Sequence, residues 1–156
     1  MALNVLPANG LDAYNVLIFP ATTISASSTG VNDGTGVRVT AGVFMGVSNY
    51  TSVDLLLVSD AGTGTSPTLN FYLQKLMANG TTWCDVCSFT QVTTAAVSLQ
   101  ATLISAVTAS AATTDGTLAA ASNKLAHMGS KWRCKYVVGG TNPSFPNVTL
   151  YGNFYA

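Results

Sequence analysis

The chain has 156 residues, 48% hydrophobic and only 8% charged, with six Lys or Arg, six Asp and no Glu, so its formal net charge is zero. That hydrophobic content excludes an intrinsically disordered chain, and the scattered cations argue against the clustered basic footprint of a nucleic-acid binder. One domain with a self-sufficient core is expected, because a chain of this size buries roughly 70% of its unfolded surface.

Without Glu and with few Lys or Arg, the chain lacks the best surface helix formers, whereas Thr, Val, Tyr and Phe favour strands. A surface this neutral suits a subunit packed into a large assembly, since charge normally keeps a free domain apart from its neighbours. The first twelve residues hold Leu3, Val5, Leu6 and Leu11 with Pro7 and Gly10. They read as an extended arm over residues 1–12, ahead of a single domain at 13–156. No basic n-region or apolar run precedes Pro7, so no signal peptide is expected. Residues 86–114 are uncharged but rich in Thr, Ser and Gln, a composition that argues against a membrane span.

Residues 14–19 form the first strand-sized apolar run, closed by Pro20, and 22–26 continue it. A loop with an Asp33-Gly34 turn signal follows. Val37, Val39 and Ala41 then alternate with Arg38 and Thr40 at the period of a half-buried strand. Residues 55–58 are continuously apolar, the pattern of a strand covered on both faces. Residues 60–67 read as a long turn. In 68–76, Leu69, Phe71 and Leu73 face one way and Asn70, Tyr72 and Gln74 the other. Asn79-Gly80 is the clearest hairpin turn. Residues 83–94 offer further short strands, with Phe89 and Val92 as core residues.

Residues 93–124 fit two periods. Val97, Leu99, Ala101 and Leu103 alternate, while Val97, Ala101, Ile104 and Val107 fit a helical stripe. A strand followed by a long excursion is favoured, with room for a short helix near 118–125, inside the 105–126 region, because alanine is the best helix former. Further on, Trp132, Cys134 and Tyr136 alternate with Arg133 and Lys135, and Val148, Leu150, Tyr151 and Phe154 follow. The expected fold is all-β, an antiparallel β-sandwich of jelly-roll-like build.

One spacing repeats. The run at 55–58 leads through Gly64-Thr65-Ser66-Pro67 into a strand, and the run at 132–138 leads through Gly140-Thr141-Asn142-Pro143 into another. Glycine supplies unusual backbone angles and proline fixes the exit. The two units suit equivalent corners of a two-layer fold, although such turns are also common in any all-β chain.

Several residue sets suggest chemistry. Trp83-Cys84-Asp85-Val86-Cys87 has the Cys-x-x-Cys spacing of a thiol redox motif, but that chemistry needs a helix N-terminus and a βαβ context, and the residues downstream read as strand. Cys84, Cys87 and Cys134 with His127 are four possible zinc ligands, yet only one knuckle is close-spaced. Three small buried thiols are the simpler reading. An odd cysteine count fits a reducing compartment. His127 has no Gly-x-Ser-x-Gly elbow to serve, the aspartates have no Glu partner for paired-carboxylate work, and Gly34-Thr35-Gly36 lacks a phosphate-binding Lys. No catalytic residue, cofactor or metal is therefore assigned, and no enzyme activity is expected. Lys131, Arg133 and Lys135 read as one solvated or interfacial strand face that resists strand addition. The sequons at Asn49, Asn79 and Asn147 are of a kind common in Thr-rich chains.

Two stretches carry a family resemblance. One runs Ser66-Pro67-Thr68-Leu69-Asn70-Phe71-Tyr72-Leu73-Gln74, then Gly80-Thr81-Thr82-Trp83-Cys84-Asp85-Val86 and Phe89-Thr90-Gln91-Val92. The other runs Lys135-Tyr136-Val137-Val138-Gly139-Gly140-Thr141-Asn142-Pro143-Ser144-Phe145. Over roughly residues 53–92 and 131–154 the chain resembles the small β-sandwich virion proteins of tailed bacteriophages, among them capsid decoration (cement) proteins and related head or tail accessory subunits. The sequence departs from that pattern at Met77-Ala78-Asn79, where an acidic turn is usual, and in the Ala-rich stretch at 105–126, which looks like an insertion. The resemblance implies a non-enzymatic subunit made in the host cytoplasm and carried on the capsid surface. It would bind the major capsid protein, often as a homotrimer, without contacting nucleic acid or membrane. A tail, fibre or adaptor subunit is the alternative, with Trp83, Trp132 and tyrosines as stacking surfaces for a receptor or glycan.

Overall fold

The computed structural model describes residues 12–25, 50–105, 112–124 and 132–156. About 70% of these residues are strand and none is helical, so the fold is all-β and antiparallel, a sheet curled into a nearly closed barrel-like arrangement. The strands are β1 (Ala13–Ile24), β2 (Ser52–Ser59), β3 (Thr63–Leu76), β4 (Trp83–Ser88), β5 (Val97–Ile104), β6 (Ser122–Asn123) and β7 (Trp132–Tyr155). Their order is β5-β2-β7-β3-β4-β6, and β1 also pairs with β7. The expected arm over 1–11, the Asp33-Gly34 turn and the strand at Val37, Val39 and Ala41 lie outside the described residues.

The 24-residue β7 is the spine. Its first part pairs with β3 and its last part with both β1 and β2. The register set at Val53↔Phe154 and Leu57↔Leu150 is resumed at Thr68↔Gly139 and kept to Lys75↔Trp132. β2 and β3 therefore run as one ribbon against β7, and both partners cross together from one half of the sheet to the other. One half holds β1, β2, β5 and the end of β7; the other holds β3, β4, β6 and the start of β7.

The crossing is where the sequence repeat sits. Gly64 and Gly140 have φ of +108° and +101°, and Ser66 and Asn142 both have φ of +49°. A Cβ on Gly64 would lie 2.5 Å from the carbonyl oxygen of Asn142, and one on Gly140 would lie 2.6 Å from that of Ser66. The two Gly-Thr-x-Pro units thus face each other at one shared crossing rather than at separate corners, and only glycine tolerates so close an approach at positive φ. The long turn expected over 60–67 is correspondingly shorter, because β3 already begins at Thr63.

Both halves bury their inner faces in one core. Trp132, Phe19, Phe71, Phe145, Phe154, Leu57, Leu69 and Leu73 are fully buried. Each such side chain contributes roughly 1.5–3 kcal/mol relative to exposure. Phe19 of β1 meets Phe71 of β3 edge-on at 5.4 Å, and Trp132 lies 5.6 Å from Phe154, so rings from opposite halves lock together. Phe89 and Val92 are buried as expected. The Asn79-Gly80 hairpin also forms: Gly80 has φ of +73°, and Asn79 Oδ1 accepts from the amides of Thr81 and Thr82.

Three expectations change. The run at 55–58 is covered on one face only: Leu55 and Leu57 are buried, but Leu56 points out of the barrel. Residues 97–104 resolve as strand, yet 118–124 do not form the short helix. Ala121 has φ of +54°, and the amides of Gly116, Thr117 and Leu118 all donate to the Asp85 carboxylate, which draws the backbone out of any helical ladder. Tyr72 and Gln74, read as part of an outward row, are buried, and Gln74 donates to Asp115 of the segment 112–124.

Candidate functional site

The three cysteines are buried and free. Cys84 and Cys87 lie on β4, and Cys87 stands opposite Leu73. Burial pushes the Cys87 thiol up to about 12, and burial together with nearby Cys87 pushes Cys134 up as well. Exchange chemistry needs the thiolate, so both behave as packing residues at neutral pH. Among the described residues no three His, Cys, Asp or Glu side chains gather as metal ligands. His127 and Lys131 lie outside those residues.

Arg133 and Lys135 share a face, as their spacing requires, but that face is not solvated. Lys135 is buried and donates to Asp115 Oδ1 at 2.8 Å and to the Asp115 carbonyl at 3.1 Å. Arg133 lies 4.4 Å over the Trp83 ring and donates to Gln74 Oε1 at 2.8 Å. Gln74 donates in turn to Asp85 Oδ1 at 2.7 Å and Asp115 Oδ1 at 2.9 Å. Asp85 is wholly buried and collects three successive backbone amides, so a carboxylate stands inside a nest of N–H groups. The Lys135 hydrogen bond, then Gln74, hold the Asp115 carboxyl below its ordinary value. Lys124 completes the clasp, donating to Ala112 O at 3.0 Å and Thr114 Oγ1 at 2.8 Å. Each charge in this network has partners within the chain. Together these bonds strap residues 112–124 over the outer face of β3 and β4.

The outer face of β1, β2, β5 and the end of β7 is the opposite case. Leu17, Tyr151, Leu56 and Gln100 lie side by side across four strands. Tyr155, Ser52 and Ile104 form a second row, with the Tyr14 ring 5.9 Å from that of Tyr155. Tyr14 and Ile104 are each 60% exposed, Leu56 41% and Tyr151 40%. These strands contain no Lys or Arg, and Asp54 is the one carboxylate within them. Its oxygens are taken by Thr102 Oγ1 at 2.7 Å and the Tyr155 hydroxyl at 3.2 Å. A face of tyrosine, leucine, isoleucine and hydroxyls, poor in charge, has the composition of a protein interface core and little desolvation penalty against burial.

Of the stacking candidates, Trp132 is buried in the core and Trp83 lies under Arg133, so among the described residues the most exposed aromatic side chains are Tyr14 and Tyr151. The Asn79 side-chain amide donates to Thr82 Oγ1 within the hairpin turn, and that of Asn147, in β7, donates to Asp60 Oδ2. Sequence reasoning missed Asp85 as a hub, and it missed the open face, whose only signal was Leu56 within an apolar run. No protein-family model matches the chain, and neither a curated protein nor a solved structure does.

Proposed function

We propose that the chain is a structural virion subunit of a tailed bacteriophage. In this reading it is a capsid decoration or cement protein that attaches to the major-capsid-protein shell, as a homotrimer at the capsid surface, and stabilises it by adhesion without catalysis. The resemblance in 53–92 and 131–154 suggests the class. The observation that carries the reading is the open outer face, with Leu56, Ile104, Tyr14 and Tyr151 exposed on strands whose one carboxylate is already bonded. Such a face adheres at low desolvation cost, and weak contacts repeated over several subunits multiply.

The test is attachment of the purified chain to expanded shells, with sedimentation and shell melting as readouts. Co-sedimentation and a raised shell Tm support the reading. A chain that ignores shells but labels host cells belongs to a tail, fibre or adaptor, with Tyr14 and Tyr151 as the stacking surface for a receptor glycan.

A further inference from the structure

β5 is the end strand of the open half. It pairs with β2 without a bulge, from Ser52↔Ile104 to Ser59↔Val97. The amide of Ser105 donates to Thr51 O, so odd-numbered backbone groups face β2. Even-numbered groups therefore face the free edge, where Asn123 Nδ2 reaches one of them, Thr102 O, at 3.4 Å. Among the described residues, β5 pairs with no strand other than β2. The strand Val-Ser-Leu-Gln-Ala-Thr-Leu-Ile has no Lys, no Pro and no inward charge. Those are the devices that normally close an exposed edge, and a flat, regular strand without them is a template for another. Across from this edge stand Phe89, at the end of β4, and Asn123 of β6, with a cleft of about 120 Å³ between them and Leu99, Gln100 and Ala101.

We infer that the β5 edge takes one extended, uncharged strand of the major capsid subunit, which adds to the sheet through main-chain hydrogen bonds. This rests on the shell-binding reading above. Two features select that occupant. The lining is uncharged, so a charged segment would lose its hydration without compensation. Leu99, Ala101 and Phe89 make the inner side apolar, so the incoming strand presents small apolar side chains inward and polar ones outward. The outward residues Gln100, Thr102 and Ile104 belong to the open face, so the added strand extends the adhesive surface rather than forming a separate one.

Hydrogen exchange of the full chain, free and shell-bound, reads this edge residue by residue. In the free protein the amides of Ser98, Gln100, Thr102 and Ile104 exchange fast while Leu99, Ala101 and Leu103 are protected by β2. Shell binding is expected to protect the even-numbered set. Gln100→Pro removes a donor aimed at the partner and none aimed at β2, so it is expected to attach at least about tenfold more weakly than Gln100→Ala, which loses the same side chain but keeps the amide. Even-numbered amides that stay unprotected on shells to which wild type attaches overturn this inference alone, and so does a folded Gln100→Pro chain that attaches as Gln100→Ala does. Protection already present in the free protein assigns the edge to a second copy and also overturns it. A wild-type chain that attaches to no shell overturns the functional reading, and this one with it.

Discussion

The two outer faces of this barrel are built from the same kind of strand and meet opposite fates. All four basic residues within the described segments, Lys75, Lys124, Arg133 and Lys135, belong to the half formed by β3, β4, β6 and the start of β7. That half covers itself with residues 112–124, clasped by Asp85 and Asp115. The other half has no cation in its strands, and no described segment hides Leu56 or Ile104. Charge here serves internal closure, and the face without it is the one left exposed. The ion pairs to Asp115 are solvent-screened on the carboxylate side and add little stability, whereas the buried Asp85 carboxylate fixes one docking geometry for the loop through its amides.

The contrast breaks most visibly at Asp85. Asp85→Ala strands three amides and Gln74 in a dry site and is expected to destabilise the fold by about 3 kcal/mol or more. Denaturant melts should record the loss, and limited proteolysis should find new cleavage within 112–124. If the variant melts as wild type does, the clasp holds nothing together.

The crossing between the halves is the next most sensitive place. Gly140→Ala puts a Cβ 2.6 Å from the Ser66 carbonyl oxygen at a φ of +101° and should cost about 2 kcal/mol or more. Gly80→Ala, at φ of +73° but with nothing within 4 Å, should cost about 1 kcal/mol. Equal melts for the two variants would mean that the face-to-face approach of the Gly-Thr-x-Pro units is unimportant.

A smaller effect is expected from acid. Asp115 has its folded pKa depressed below 3.8, first by Lys135. Its contribution is therefore complete above the unfolded value and is lost as pH falls below it, through the folded value. Because this side chain is 61% exposed, solvent screening keeps the contribution modest. Asp115→Asn should flatten the acid limb of the stability curve and leave its shape above pH 5 unchanged. An unaltered acid limb would remove Asp115 from the clasp.

The least change in stability belongs to the open face. Leu56→Ser with Tyr151→Ser should stay within about 0.5 kcal/mol of wild type, since neither side chain is committed to the core. The same variant should lose shell attachment. Large destabilisation would show that this face is already in use within the chain; unimpaired attachment would move the adhesive surface elsewhere.

Local pattern made much of this readable in advance. Period-2 alternation placed Leu69, Phe71 and Leu73, then Val97 to Leu103, on the sides of strands where they lie, because alternation is a property of the strand itself. Asn79-Gly80 was readable because an Asx side chain and a glycine at positive φ make a turn with no help from the rest of the chain. The spacing of the two Gly-Thr-x-Pro units was visible, but their meeting was not, since pairing of positions 76 residues apart leaves no local trace. Arg133 and Lys135 were placed on one face correctly, read as solvated or interfacial, but their partners Asp115 and Gln74 within the chain were not legible, for the same reason. The Cys-x-x-Cys spacing pointed to reactive thiols as one option; strand geometry and burial make two of the three sulfurs poor acids instead.

What the sequence determined by itself was the strand-rich character, the near absence of surface charge and the turns built from Asn, Gly and Pro, because these follow from side-chain shape and backbone preference within a few residues. Which outer face is covered and which stays open was decided only in the tertiary structure. Gln74 and Leu56 both sit on strands beside core residues, and the choice between them depends on one distant loop whose amides happen to reach the carboxylate of Asp85.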